Sequence, residues 1–141
     1  MEIASSLKFL HDNNIVHCDI KPDNILLGKD DKLKLSDFCS SLRMNEPEDN
    51  ILLTLGDIYF FPPELVEDKE KEKKSIDYNA VNIWDLDISI YTYIFKCLPF
   101  MPENRENIVE LFKVMTESNF DFNKYGITTS EEMKKLLMHL F

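Results

Sequence analysis

The stretch His17-Cys18-Asp19-Ile20-Lys21-Pro22-Asp23-Asn24 constrains the fold more than any other part of the chain, because it combines a helix breaker with a dense set of polar groups. Pro22 fixes its own φ, disfavours helix at Lys21 and cannot donate to a sheet ladder, which predicts an irregular loop. A carboxylate, an amine and a carboxamide are therefore brought together within one short turn. Beyond it, Ile25-Leu26-Leu27 is broken by Gly28-Lys29-Asp30-Asp31 before the alternating Lys32-Leu33-Lys34-Leu35, the pattern of a β-hairpin. Asp37-Phe38-Cys39 follows at once, so the returning strand carries a second carboxylate back toward the first loop. Two acids and an amide then face one site, and with the amine beside them they form a cluster that can handle a phosphate.

Residues 17–24 resemble the catalytic loop of eukaryotic protein kinases, and Asp37-Phe38-Cys39 resembles their Asp-Phe-Gly element. The spacing from Asn24 to Asp37 is the one that loop, strand, turn and strand require in that family. The resemblance continues in Thr54-Leu55-Gly56-Asp57-Ile58-Tyr59-Phe60-Phe61-Pro62-Pro63-Glu64, which is similar to the end of a kinase activation segment, with Pro62-Pro63-Glu64 in place of Ala-Pro-Glu. It implies that Asp19 is the base for a substrate hydroxyl, that Lys21 steadies the transferred phosphoryl and contacts ATP, and that Asn24 and Asp37 hold Mg²⁺. It further implies ATP-dependent phosphoryl transfer to a protein serine or threonine, with a protein substrate or a partner kinase as partner. The pattern after Asp37 is most similar to kinases that phosphorylate calmodulin-dependent and energy-sensing kinases.

The chain has 141 residues, too few for a complete kinase domain. Met1-Glu2-Ile3-Ala4-Ser5-Ser6-Leu7-Lys8-Phe9-Leu10 carries a helical stripe that resembles the second half of the helix preceding the catalytic loop. The expectation is thus a partial kinase domain over residues 1–141, mainly α with one small β-hairpin at 25–35. It would be a kinase C-terminal lobe without the N-terminal lobe that supplies the Gly-rich loop and the strand lysine. A face normally covered by that lobe would be apolar and prone to self-association.

A balance of 16 basic against 26 acidic residues, a net charge of −10, argues against nucleic acid and against an anionic membrane surface. No apolar run is long enough for a membrane span, and the first residues lack the pattern of a signal peptide. Cys18, Cys39 and Cys97 form neither a disulfide framework nor a zinc motif, which suits an intracellular, cytoplasmic setting. His17 reads as a packed core histidine. Residues 67–74 mix both charge signs and read as a solvated loop or helix end.

Between residues 81 and 95 the alternation at Leu86, Ile88 and Ile90 favours a strand by period alone. Resemblance favours the opposite. Asn82-Ile83-Trp84-Asp85-Leu86-Asp87 is similar to the Asp-x-Trp-Ser-x-Gly opening of the central kinase helix, which is buried all round and need not look amphipathic. Cys97-Leu98-Pro99-Phe100 then matches a Gly-x-x-Pro-Phe turn, residues 105–117 form an amphipathic helix, and Thr129-Ser130-Glu131-Glu132 starts another.

Five departures from the kinase pattern carry physical consequences. Cys18 replaces the arginine that reads an activation-segment phosphate, which weakens the case for Ser40, Ser41 or Thr54 as phosphosites. Cys39 restricts a backbone where glycine moves freely. Asp57 replaces a threonine, and its carboxylate would repel Asp19 or capture Lys21. Asn82 keeps an acceptor for the catalytic-loop amides without a carboxylate's charge, and Asp87 replaces a glycine. Glu64, whose family partner is an arginine further on, should reach solvent or find a lysine. Two readings follow: a serine/threonine kinase whose chain is inactive alone, and a non-catalytic pseudokinase lobe that acts as a binding or regulatory module.

Overall fold

The computed structural model describes residues 2–44, 57–65, 76–117 and 130–138. The chain begins with α1 (Glu2–Asp12), then β1 (Ile15–Val16), a 3-10 turn at Pro22–Asn24, β2 (Ile25–Leu27), β3 (Leu33–Leu35) and β4 (Leu42–Arg43). Two further 3-10 turns, Ile58–Phe60 and Pro63–Leu65, precede α2 (Tyr78–Phe95), α3 (Ile108–Glu117) and α4 (Glu131–Met138). The architecture is mainly helical, with β2 and β3 forming the expected antiparallel hairpin in the register Ile25↔Leu35 and Leu27↔Leu33. A second antiparallel pair, β1 with β4, was not expected; its strands are two residues long, too short to leave an alternation in the sequence.

Residues 81–95 are helix, as the resemblance implied and the period-two pattern did not. The reason is packing on several sides. Val81 and Tyr78 join a cluster with Val16, Cys18 and Leu65, while Ile88 joins Phe60, Phe100, Leu111 and Phe112. Leu86 leans on a third cluster, of Ile3, Leu7, Leu10 and Ile20 from α1 and the loop beyond β1. A helix wedged between three apolar groups has no single polar face, so its sequence loses the 3.6-residue signature. Trp84 stacks on Phe100, with ring centroids 5.9 Å apart, which seats the turn after α2 against the helix itself.

The ends of α2 have local causes. The Asp77 carboxylate accepts from the N–H groups of Asn79 (3.0 Å) and Ala80 (3.4 Å), which satisfies two of the otherwise unpaired donors of the first turn. Lys96 closes the other end in the left-handed region, φ 58°, its N–H donating to the Thr92 carbonyl. α3 starts at Ile108 rather than at 105, because the Asn107 side chain accepts from the Glu110 N–H at 3.1 Å and so caps it. Ser130 caps α4 by accepting from the Met133 N–H. Thr129 and the charged stretch 67–74 lie outside the described residues. Among the described residues, no helix is long and apolar enough to cross a membrane.

Candidate functional site

The loop between β1 and β2 is held from three sides, and each of its polar residues has a defined place. Asp19 is 9% exposed and its carboxylate is shared among three donors. Lys21 Nζ lies 3.1 Å from Oδ1, the Asp57 N–H donates to the same oxygen at 3.3 Å, and Asn24 Nδ2 donates to Oδ2 at 2.9 Å. Asn24 Nδ2 also reaches the Asp19 carbonyl at 2.8 Å, which leaves its carboxamide oxygen for another partner. Pro22 starts the 3-10 turn that swings Asn24 under Asp19, as the proline-directed irregular loop predicted.

Lys21 remains on Asp19. Burial works against its ammonium, but the hydrogen bond and charge of Asp19, with Asp57 and Asp23 nearby, raise its pKa above that of an ordinary lysine. The expectation that Asp57 would repel Asp19 or capture Lys21 is corrected by the geometry. The Asp57 carboxylate turns back to accept from the Tyr59 N–H at 3.1 Å, capping the 58–60 turn, and only its backbone N–H faces Asp19. Glu64 is solvent-exposed, one of the two expected outcomes.

Asp37 is delivered to the same region by the hairpin. Ser36 donates to the Asn24 carbonyl through both its N–H (2.9 Å) and its hydroxyl (3.0 Å), so the end of β3 is tied to the loop. His17, fully buried, completes that tie: its Nε2 donates to the Ser36 carbonyl at 3.0 Å, while Nδ1 accepts from the Asp19 N–H at 3.3 Å. Burial lowers its pKa and keeps it neutral, the state this pair of bonds requires. Phe38 packs edge-on against its ring at 4.8 Å. His17 is therefore a core histidine, as its sequence position suggested.

Asp37 itself is exposed, with φ 60°. The thiol and N–H of Cys39 bond to its carboxylate and hold it below the usual carboxylate range. The left-handed backbone thus falls on Asp37, and Cys39 needs no positive φ. Ser41 is turned inward, its hydroxyl donating to the His17 carbonyl at 3.3 Å, and Thr54 lies outside the described residues.

From below, α2 supports the loop. Asn82 Oδ1 accepts from the Cys18 N–H at 3.0 Å, as expected of the amide at this position, and its Nδ2 donates to His11 Nε2 at 3.0 Å. Burial keeps His11 neutral, so it can accept that bond, although Asp77 and Asp12 pull the other way. Cys18 adopts φ 63°, and burial pushes its thiol up to about 12, which removes it from any nucleophilic role. Two residues passed over in the sequence also face the loop. Asp85 and Ser89 are each 2% exposed. Their signal was present, since polar residues at 82, 85 and 89 share one face of an apolar helix, but the mixed periodicity of the segment hid it.

Asn24 and Asp37 offer hard oxygen donors, and the described residues contain no cluster of three or more His, Cys, Asp or Glu side chains able to hold a metal. Two protein oxygens, completed by water and phosphate, suit Mg²⁺ better than a metal that needs a full protein cage.

The protein kinase domain family matches residues 1–141, the whole chain. The chain is 37% identical over 99 residues to an Aurora kinase of Schizosaccharomyces pombe, covering 70% of this chain and 26% of that protein. It is 32% identical over 160 aligned residues to the serine/threonine-protein kinase TOS3 of Saccharomyces cerevisiae, covering 99% of this chain and 28% of that protein. CBL-interacting serine/threonine-protein kinase 20 of Arabidopsis thaliana is 28% identical over 141 residues, which is 99% of this chain and 30% of that protein. The chain spans less than a third of the length of each of these relatives, and their differing names single out no subfamily. With the loop, the hairpin and the helix beneath them in the order the family requires, the chain belongs to the eukaryotic protein kinase superfamily.

Proposed function

We propose that residues 1–141 form the C-terminal lobe of a serine/threonine protein kinase and carry its hydroxyl-activating and metal-holding residues. The observation that carries this reading is the convergence of Lys21 and Asn24 on the two oxygens of Asp19, 3.1 and 2.9 Å away. In the proposed reaction the Asp19 carboxylate takes the proton of a substrate serine or threonine hydroxyl. The hydroxyl oxygen forms its bond to the γ-phosphorus of ATP as the bond to the β–γ bridging oxygen breaks, and ADP leaves. Lys21 swings from Asp19 to the transferred phosphoryl, a short move for a flexible ammonium that is 25% exposed. Asn24, through its remaining carboxamide oxygen, and Asp37, through a carboxylate held below the usual range, would hold Mg²⁺, which when bound would neutralise charge on the phosphates.

The chain alone transfers phosphate slowly or not at all. Its three glycines stand at 28, 56 and 126, so it contains no Gly-rich loop to cover the phosphates. Alignment of reactants supplies roughly 7–11 kcal/mol in well-positioned systems, and much of it is forfeited when the nucleotide is held by Asn24 and Asp37 alone. The setting is intracellular and cytoplasmic, consistent with three unpaired cysteines, of which Cys39 is exposed. The partner is a protein substrate or a partner kinase. The cross-strand pair Leu27 and Leu33, exposed on one side of the hairpin, offers an apolar surface suited to self-association or to a covering lobe.

One observation favours the second reading, a non-catalytic pseudokinase lobe acting as a binding or regulatory module: at Asp57, one of the departures from the kinase pattern, the backbone N–H donates to Asp19 Oδ1 at 3.3 Å and so occupies an oxygen that would take the hydroxyl proton. Mn²⁺ titration of ¹⁵N-labelled protein separates the two. The catalytic reading expects selective broadening of the Asn24 side-chain amide and of residues 36–38, abolished in Asp37→Ala. Uniform or absent broadening contradicts it.

A further inference from the structure

Asp85 and Ser89 have no part in the proposed reaction, yet a carboxyl and a hydroxyl buried to 2% exposure in the middle of an apolar helix are costly unless they meet polar partners. Their partners lie in the loop above. With Asn82 they occupy positions i, i+3 and i+7 of α2, one face of the helix, directed at residues 18–20. Asn82 accepts from the Cys18 N–H at 3.0 Å, and the Asp85 carboxyl faces the Ile20 backbone amide. Ser89 Oγ donates to the Ile20 carbonyl at 3.0 Å, sharing its proton with the Asp85 carbonyl at 2.8 Å. The backbone is thus gripped on both sides of Asp19, at residue 18 by Asn82 and at residue 20 by Asp85 and Ser89.

The grip has work to do. Cys18, at φ 63°, is a non-glycine residue in the left-handed region, a conformation that persists only when its surroundings impose it. The Ile20 side chain, fully buried among Ile3, Leu7 and Leu10, anchors one side of that peptide but does nothing for its polar groups. The kinase motif that residues 82–87 resemble has serine at the place of Asp85, so a carboxyl stands here where the motif has a hydroxyl.

We propose that Asp85 is a positioning residue, acting with Ser89 to fix the Ile20 peptide and through it the direction in which Asp19 presents its carboxylate. The proposal rests on the reading of Asp19 as the base, although its geometric core does not require turnover. Burial first, and then the charge of Asp19, favour the protonated form of Asp85, while the Ile20 amide favours the ionised form. Either form offers the amide an oxygen.

Hydrogen exchange on the ¹⁵N-labelled full chain tests this directly. Asp85→Ser shortens the side chain beyond reach, and the Ile20 amide should then exchange about tenfold faster, or more, while the Ile88 and Tyr91 amides of α2 keep their parent rates. Asp85→Asn, which retains an acceptor oxygen, should keep Ile20 within about threefold of the parent. An unchanged Ile20 in Asp85→Ser overturns the proposal. So does an equal loss of protection at Ile20, Ile88 and Tyr91, which would mean that Asp85 serves global stability alone. Should Asp85→Ser fail to fold, a scalar coupling between Ile20 ¹⁵N and Asp85 ¹³Cγ in the doubly labelled parent supports the proposal, and its absence overturns it. Neither measurement depends on catalysis, so a chain that fails to transfer phosphate leaves this result standing.

Discussion

Asp87 should make the stability of this chain fall as the pH rises through neutrality. Its carboxyl is 4% exposed on α2, at a place where the kinase motif has glycine, and burial alone pushes its pKa up to about 7 from 3.8. The folded state therefore binds the proton more tightly than the unfolded state does. The associated stability is fully present below the unfolded value and is lost as the pH rises through the folded one. At about 1.4 kcal/mol per pKa unit the full penalty approaches ~4 kcal/mol above pH 7, of which ~2–3 kcal/mol accrues between pH 5 and pH 8. That is a large share of a typical domain stability of about 5–15 kcal/mol. The variant is Asp87→Asn, close in shape and without a titration. Urea unfolding of parent and variant at pH 5, 6, 7 and 8 gives the difference in unfolding free energy. His11 and His17, held below their ordinary pKa by burial, act with the opposite sign, but both proteins carry them and the difference removes them. The variant should gain on the parent by ~2–3 kcal/mol from pH 5 to pH 8. A difference that stays constant within about 0.5 kcal/mol across that range would refute the reasoning.

Removing the cap in Asp77→Ala should cost about 1 kcal/mol, seen as a lower urea midpoint with an unchanged slope, because two N–H groups of α2 lose their acceptor. Glu64→Gln should leave the midpoint unchanged to within about 0.5 kcal/mol, since the side chain is exposed; a loss of several kcal/mol would reveal a buried partner. The paired Leu27 and Leu33 are 68% and 42% exposed, so the parent should bind a hydrophobic dye and sediment heavier with concentration, and Leu27→Lys with Leu33→Lys should suppress both; a dye-silent, monomeric parent contradicts this.

What the sequence revealed depended on whether a residue's role was local. Pro22 dictates the loop, Gly28 and Asp30-Asp31 mark the hairpin, and Asp19, Lys21, Asn24 and Asp37 lie close enough in the chain for their order and spacing to point to one site. His17 was legible as a core residue, although its two bonds, to Ser36 and to Asp19, needed the hairpin folded back over it. The β1–β4 pair joins residues far apart through two-residue strands, which no local pattern announces. Asp57 misled because its position suggested a carboxylate aimed at the site, whereas a cap two residues on satisfied that carboxylate first. Asp85 and Ser89 were missed because a helix packed on three sides has no apolar stripe against which a polar one stands out.

The most direct test of the proposed phosphoryl transfer joins residues 1–141 to an N-terminal lobe. Fused to an N-terminal kinase lobe from a relative, and given radiolabelled ATP, Mg²⁺ and a generic serine/threonine substrate, the chain should turn over within reach of the usual kinase range of about 1–100 s⁻¹. Asp19→Asn in the same fusion should abolish transfer, and the unfused chain should show little or none. An inactive but folded fusion, or one whose activity survives Asp19→Asn, contradicts the account.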